Sequence, residues 1–217
     1  MRFLLFNPNS NVALTGALAA ALGSRLGAGD SVSSVTARTG PAFIGSPETI
    51  AAARGNLEEA LPGASLEADA IVLGCFGDLD IAHLGEALGK PLVSLWDAGF
   101  ESLQRAGNRT AILTTSTFWA EKIRQYAEQI AADQGTLVTV VEGASVVSTD
   151  ALRDKLDGAV ANLAGMPDVD QVVLGGALLE SLRPSLRAPA LPVVDLMDEA
   201  VKLCRRRHAG SGTSPDC

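Results

Sequence analysis

Ile71-Val72-Leu73-Gly74-Cys75 in the first half of the chain returns as Val172-Val173-Leu174-Gly175-Gly176 in the second. Pro91-Leu92-Val93-Ser94-Leu95-Trp96-Asp97 returns as Pro192-Val193-Val194-Asp195-Leu196-Met197-Asp198. Both pairs stand at one offset of 101 residues (71 to 172, 91 to 192). Two separate segments sharing an offset are hard to obtain by chance, even though Val and Leu runs are easy to match. Leu4-Leu5-Phe6-Asn7 and Ala111-Ile112-Leu113-Thr114 also fit, at an offset of 107 (4 to 111), and an insertion or deletion of a few residues explains the difference. The chain reads as an internal duplication.

Each half alternates short apolar runs with segments of helical spacing. Residues 3–6, 31–36, 70–74 and 92–95 predict strands in the first half, and residues 110–113, 137–141, 171–174 and 192–194 in the second. Helices are expected over 12–26, from Ser46-Pro47-Glu48 to about Leu61, before Leu88, and over 97–105, 118–132, 149–163 and 196–207. Ser46 is a cap, Pro47 suits the first helical position, and Pro62-Gly63 is a stop signal. Ser10 or Asn11 is available to cap the first helix. Strands that alternate with crossover helices imply parallel sheets covered on both faces. The expected fold is α/β, with two similar parallel-sheet lobes related by a pseudo-twofold duplication and an active-site cleft between them. Residues 1–96 plus 196–208 form the first lobe with a C-terminal helix, residues 97–195 form the second, and 209–217 form a disordered tail.

Composition narrows the partners. Of 217 residues, 47% are hydrophobic and 19% charged, with six Phe, two Trp and one Tyr, and mean hydropathy is +0.22. The apolar content is therefore Ala, Leu and Val, enough to exclude disorder for most of the chain. Asp and Glu number 25 against 17 Lys and Arg, giving a net charge of −8 that repels a phosphate backbone, so no nucleic-acid partner is expected. No segment reaches the roughly 18 apolar residues of a membrane span. Residues 12–22 follow Arg2 in a faint likeness to a secretory segment, but Asn7-Pro8-Asn9-Ser10-Asn11 interrupts it. Cys75, Cys204 and Cys217 are odd in number and far apart, which fits neither a disulfide framework nor a zinc cluster. A cytoplasmic protein with no metal and no cofactor is expected, and a homo-oligomer is left open.

Ligands of parallel sheets bind beyond the carboxyl ends of the strands. Three polar knots occupy those positions: Asn9-Ser10, Cys75-Phe76-Gly77-Asp78 and Thr115-Ser116-Thr117. Two lobes facing each other would bring Asn9-Ser10 and Thr115-Ser116 to one ligand from opposite sides. Hydroxyl and N–H donors without a Lys or Arg suit a small anionic substrate, a carboxylate or an imide.

Phe6-Asn7-Pro8-Asn9-Ser10, Thr39-Gly40-Pro41 with Ser46-Pro47, Leu73-Gly74-Cys75-Phe76-Gly77-Asp78, Leu113-Thr114-Thr115, and Pro192-Val193-Val194-Asp195 with Ala200-Val201-Lys202-Leu203 together resemble the Asp/Glu/hydantoin racemase superfamily, closest to its hydantoin racemase branch. The resemblance covers the chain to about Arg207. It implies cofactor-independent deprotonation of a stereocentre beside a carbonyl, by two cysteines contributed by the two lobes. Cys75 is the implied acid/base; Asn9, Ser10, Phe76, Gly77, Thr115, Ser116, Thr117, Gly176 and Ala177 are the implied substrate-binding residues. A helix N-terminus after Cys75 would lower its thiol pKa from about 8.5.

The second thiol departs from this pattern. Where the family carries Leu-Gly-Cys-Ala-Gly-Met, this chain has Leu174-Gly175-Gly176-Ala177-Leu178-Leu179. Cys204 is a weak substitute, and Cys217 falls in the tail. Related arylmalonate decarboxylases carry a single cysteine, on the other lobe, and use it to protonate an enolate-like intermediate after carbon dioxide leaves. The resemblance implies a racemase or isomerase of the hydantoin or amino-acid type. The alternatives are a single-cysteine decarboxylase of malonate-type acids and an inactive ligand-binding homologue. Water or Glu180 could serve the second face of a one-base isomerase.

Plainer roles compete for the same residues. A lone Cys after a buried strand is commonly inert core, and Asn9, Thr115 and Ser116 suit helix caps. His83 reads as a surface side chain, and Arg205-Arg206-Arg207-His208 as cations complementing a helix C-terminus. Trp96 and Met197 suit core positions. Phe43, Phe76, Phe118 and Trp119 either wall a pocket or pack beneath it.

Overall fold

The computed structural model describes residues 1–106, 109–130, 135–143, 148–187 and 190–211. In chain order the elements are β1 (Arg2–Asn7), α1 (Val12–Gly23), β2 (Ser31–Thr36), α2 (Pro47–Ala64), β3 (Ala70–Leu73), α3 (Ala82–Leu88), β4 (Leu92–Ser94), α4 (Leu95–Ala106), β5 (Thr110–Thr114), α5 (Thr117–Gln129), β6 (Thr136–Val140), α6 (Thr149–Ala164), β7 (Gln171–Gly175), α7 (Ala177–Leu182) and α8 (Leu196–Ser211). Two parallel sheets result, ordered β2-β1-β3-β4 and β6-β5-β7. The chain divides into two compact units, Met1–Ala98 with Met197–Cys217, and Gly99–Leu196.

Burial explains the strand composition. Phe3 to Phe6 of β1 and all four residues of β3 are buried, so these central strands are continuous apolar runs, as parallel strands covered on both faces must be. β2 is the edge strand and carries exposed serines. In the second unit Ala111, Leu113, Val172 and Leu174 of the sheet pack against Leu152, Leu156, Val160 and Leu163 of α6 and Leu179 of α7. Each Leu or Val among them contributes about 1.5–3 kcal/mol when removed from water.

Local chemistry sets the helix ends. Ser46 accepts from the Thr49 N–H while the Thr49 hydroxyl oxygen accepts from the Ser46 N–H, a closed capping box ahead of Pro47. α2 runs on to Ala64, with Pro62 in its last turn, rather than stopping near Leu61. Gly89 ends α3 at φ +60°, a conformation costly for other residues. α8 continues to Ser211, so residues 209–211 of the expected tail are helical, and 212–217, with Cys217, lie outside the described residues, as do 131–132 of the expected fifth helix. The arginines near the end of α8 therefore do other work. Arg205 pairs with Asp30 at 2.5 Å, and Arg207 donates to the Leu92 carbonyl at 2.8 Å.

The repeat extends into the backbone hydrogen bonds. The Ile71 N–H donates to the Pro91 carbonyl at 2.8 Å, and the Val172 N–H to the Pro192 carbonyl at 2.9 Å. At the amino-terminal rim of the first sheet, the Arg2 N–H donates to Asp69 Oδ2 and the Asp69 N–H to the Arg2 carbonyl; Arg109 and Asp170 make the same two bonds in the second unit. One expected strand is reduced. Residues 192–194 pair only through a bridge between Val193 and Val172, the counterpart of Leu92 with Ile71. Beyond it Asp195, where the first unit has Ser94, turns its carboxylate to Arg183 at 2.7 Å. Among the described residues no helix is long and apolar enough to cross a membrane.

Candidate active site

On the carboxyl-terminal rim of the first sheet, an amide network shapes the loop after β1. Asn7, the last residue of β1, is fully buried, and its Nδ2 donates to Asn9 Oδ1 at 2.9 Å, Thr15 Oγ1 at 3.0 Å and the Asn11 carbonyl at 3.2 Å. Asn9 Oδ1 also accepts from the Asn11 N–H at 3.0 Å. Two donors thus hold that oxygen from behind, leaving the Asn9 Nδ2 with no acceptor among the described residues. Asn11, not Ser10, caps α1, accepting from the Leu14 N–H. The Ser10 hydroxyl donates to the Gly40 carbonyl at 3.3 Å, and its N–H to the Pro41 carbonyl at 3.1 Å. Ser10 therefore ties two loops together, and its hydroxyl proton is already engaged.

β3 ends beside this loop. Phe6 pairs with Leu73, and the Gly74 N–H donates to the Phe6 carbonyl at 2.8 Å, so Cys75 follows directly on the register that fixes Asn7. The Cys75 N–H closes a tight turn on the Leu73 carbonyl at 2.8 Å. The thiol is 7% exposed, and burial pushes its pKa up to about 12. The expected helix N-terminus is not there: α3 begins only at Ala82, and residues between Cys75 and Ala82 form a loop. Without that positive end nothing offsets the desolvation of a thiolate, so the shift runs opposite to the expected one. Phe76 is buried, edge-to-face on Trp96 at 5.6 Å, and Gly77 is buried behind it. Asp80 holds φ +52°, a left-handed conformation that costs a non-glycine residue about 1 kcal/mol.

The second unit repeats the turn without the thiol. The Gly176 N–H donates to the Leu174 carbonyl at 2.8 Å, as Cys75 does to Leu73. Gly176 is extended (φ −176°), a conformation open to any residue. A Cβ built on it would meet Thr115 Cγ2 at 3.6 Å and Leu179 Cγ at 3.7 Å, both ordinary contacts. Thr115 and Gly176 are therefore neighbours on this rim. Ser116 is the N-cap of α5, accepting from the Trp119 N–H, while Thr117 begins the helix exposed and Ala177, the first residue of α7, is half-buried. Thr114, the repeat counterpart of Asn7, is fully buried and its Oγ1 has no hydrogen-bond partner among the described residues. Glu180 is fully buried and accepts from Arg183 Nε at 2.9 Å, in a chain with Asp195. Its carboxylate is committed to that pair rather than presented as a base.

The structure thus gathers Asn9 and Cys75 on one rim, and Thr115, Ser116 and Gly176 on another. Cys204 lies elsewhere, buried under β3 with Sγ 3.8 Å from the Ile71 carbonyl and its pKa also raised to about 12 by burial. His83 is exposed and 3.9 Å from Glu58. Trp119 is buried with the Phe118 ring edge against it. Open grooves of about 610 Å³, beside Arg183 and Pro192, and about 410 Å³, beside Ala82 and Pro91, take in none of the candidates. Sequence reasoning missed Asn7 and Thr15, which shape the loop; a Thr on the inward face of an otherwise Ala/Leu helix was the available signal.

Comparison with known proteins places this geometry. A hydantoin racemase from Paenarthrobacter aurescens is 35% identical over 100 residues, which span 45% of this chain and 42% of that relative. Allantoin racemase from Klebsiella pneumoniae shares the fold with a TM-score of 0.80 at 21% identity, covering all of this chain and 94% of that one. A liganded arylmalonate decarboxylase mutant follows at 0.60 and 19%, covering 96% and 93%. The family model for Asp/Glu/Hydantoin racemase matches residues 4–204. With the match running from β1 into α8 across both sheets, the chain belongs to the Asp/Glu/hydantoin racemase family.

Proposed function

We propose that the protein transfers a proton at a carbon alpha to a carbonyl, in a small carboxylate or imide of the hydantoin or amino-acid kind, without a cofactor and with Cys75 as acid/base. The observation that carries this reading is the position of Cys75: it leaves a buried strand on the same rim as the Asn9 amide, whose Nδ2 has no acceptor among the described residues. A carbon acid loses its proton more easily when donors meet the charge growing on the carbonyl oxygen, and a donor fixed in advance does so without reorganising. Asn9 supplies that donor, with Thr115, Ser116, Thr117 and the segments Phe76-Gly77 and Gly176-Ala177 completing the substrate-binding set. Gly176 has no proton to give or accept. Exchange at the second face then falls to solvent, because Glu180 is engaged by Arg183.

A second reading is favoured by the raised pKa of Cys75. A thiol that stays protonated at neutral pH is present in the form that can give a proton, while the thiolate needed as a base is scarce. In a one-thiol decarboxylase the bond to the carboxylate carbon breaks and carbon dioxide leaves. The electron pair remains as an enolate, the Cys75 S–H proton passes to that carbon, and solvent reprotonates the thiolate.

A panel of chiral 5-substituted hydantoins and amino acids in deuterated water, followed by loss of the α-proton signal, tests the first reading; substituted malonates assayed for carbon dioxide test the second. Cys75→Ala is expected to lower whichever rate is found by at least about 100-fold. An unchanged rate in that variant sinks the proposed role of Cys75.

A further inference from the structure

Cys75 begins a loop that no strand pairing supports, and the side chain that reaches into that loop comes from another element. Arg54, in the middle of α2, donates from Nε to the Leu79 carbonyl at 3.1 Å and holds Nη1 3.6 Å from Asp80 Oδ2. Both residues lie in the last stretch of the loop before α3. Asp80 takes its left-handed φ of +52° there, and its N–H donates to Asp78 Oδ1 at 2.9 Å. Leu79 is buried at 1% exposure, and Ile81 beyond it at 8%. One guanidinium therefore grips the loop by a backbone carbonyl and by the side chain of its strained residue, four and five positions after Cys75.

We propose that Arg54 is a positioning residue for Cys75. It fixes the backbone at Leu79–Asp80, and through it the course of the loop that begins at the buried thiol. A planar fork is suited to this, since it can meet a carbonyl and a carboxylate at once, whereas an ammonium is a point charge on a freer stem. The significance for turnover rests on the acid/base reading of Cys75; the positioning itself does not.

The test uses Arg54→Met and Arg54→Lys in the full chain. Alkylation of Cys75 by iodoacetamide at pH 9, read by peptide mass spectrometry, reports the burial of the thiol independently of any reaction. The expected result is alkylation faster by roughly tenfold in Arg54→Met, as a loop released from its anchor opens more often, with Arg54→Lys between that variant and the parent. On the substrate that the parent turns over, kcat is expected to fall by about tenfold with KM within about twofold, because a displaced reacting group loses rate and not binding. Alkylation at the parental rate in Arg54→Met overturns the proposal, whatever happens to the melting temperature. Turnover that survives Cys75→Ala would instead refute the acid/base reading, and the alkylation rates would still decide the role of Arg54.

Discussion

Two residues in equivalent turns of the two units, Cys75 and Gly176, carry the functional reading. Their N–H groups make the same bond to the carbonyl two residues back, so the difference between the units at this point is one CH2SH group. Gly176 is not there for conformational freedom, because φ −176° suits any side chain, and the space beside Thr115 and Leu179 accepts a Cβ. Replacement with Ala should therefore change stability by no more than about 0.5 kcal/mol in urea unfolding. Gly176→Cys is expected to fold equally well and to speed racemisation relative to one-sided exchange, measured by optical rotation beside deuterium uptake. A folded Gly176→Cys protein with no gain would show that more than a thiol separates this unit from a two-base site.

At the scale of the elements, the strands and their parallel sense were legible because buried parallel strands leave continuous runs such as Phe3-Leu4-Leu5-Phe6 and Ile71-Val72-Leu73, and because the repeat supplied these runs with counterparts in the second half. The reduction of the fourth strand of the second half was not, since Pro192-Val193-Val194 has a strand's composition and yet pairs only through the bridge of Val193 with Val172. The candidate site was legible in position and less so in chemistry. Asn9 and Cys75 fall on one rim as expected. That Ser10 spends its hydroxyl on Gly40, or that α3 starts too late to help Cys75, depends on contacts between loops distant in sequence. The Arg–Asp clamps under the first and third strands of each sheet were equally hidden, because charged residues at strand ends are common. Arg2 and Arg109, by hydrogen bonding, hold Asp69 and Asp170 below the usual carboxylate range. A depressed carboxylate stabilises the fold above its unfolded pKa and ceases to as pH falls through its folded one. Stability is therefore expected to decline below about pH 4, and the Asp69→Asn, Asp170→Asn double variant should show a shallower decline in acid urea titrations.

For the whole molecule, the two buried thiols of the first unit set an upper pH limit. Cys75 and Cys204 are each raised by burial from 9.0 to about 12. A thiol whose folded pKa exceeds its unfolded one stabilises fully below the unfolded value, and that stability is lost as pH rises between the two. Unfolding free energy is thus expected to fall from about pH 9 towards pH 12, by up to about 1.4 kcal/mol per pH unit for each thiol. Cys204→Ser, which does not ionise in that range, should make the fall less steep in urea midpoints taken at pH 8 and pH 10.5. A decline of the same slope in the variant would assign the alkaline limit to other groups. The clamps have a longer consequence. Arg2 and Asp69 are 67 residues apart, Arg109 and Asp170 only 61, yet both pairs make the same bonds. The anchors stand at one rim of each sheet and the candidate site residues at the other, so inheritance could edit the two independently. A copy could trade its thiol for glycine and shorten its connections while its scaffold went on folding, and that separation is what leaves such a protein free to acquire a new reaction.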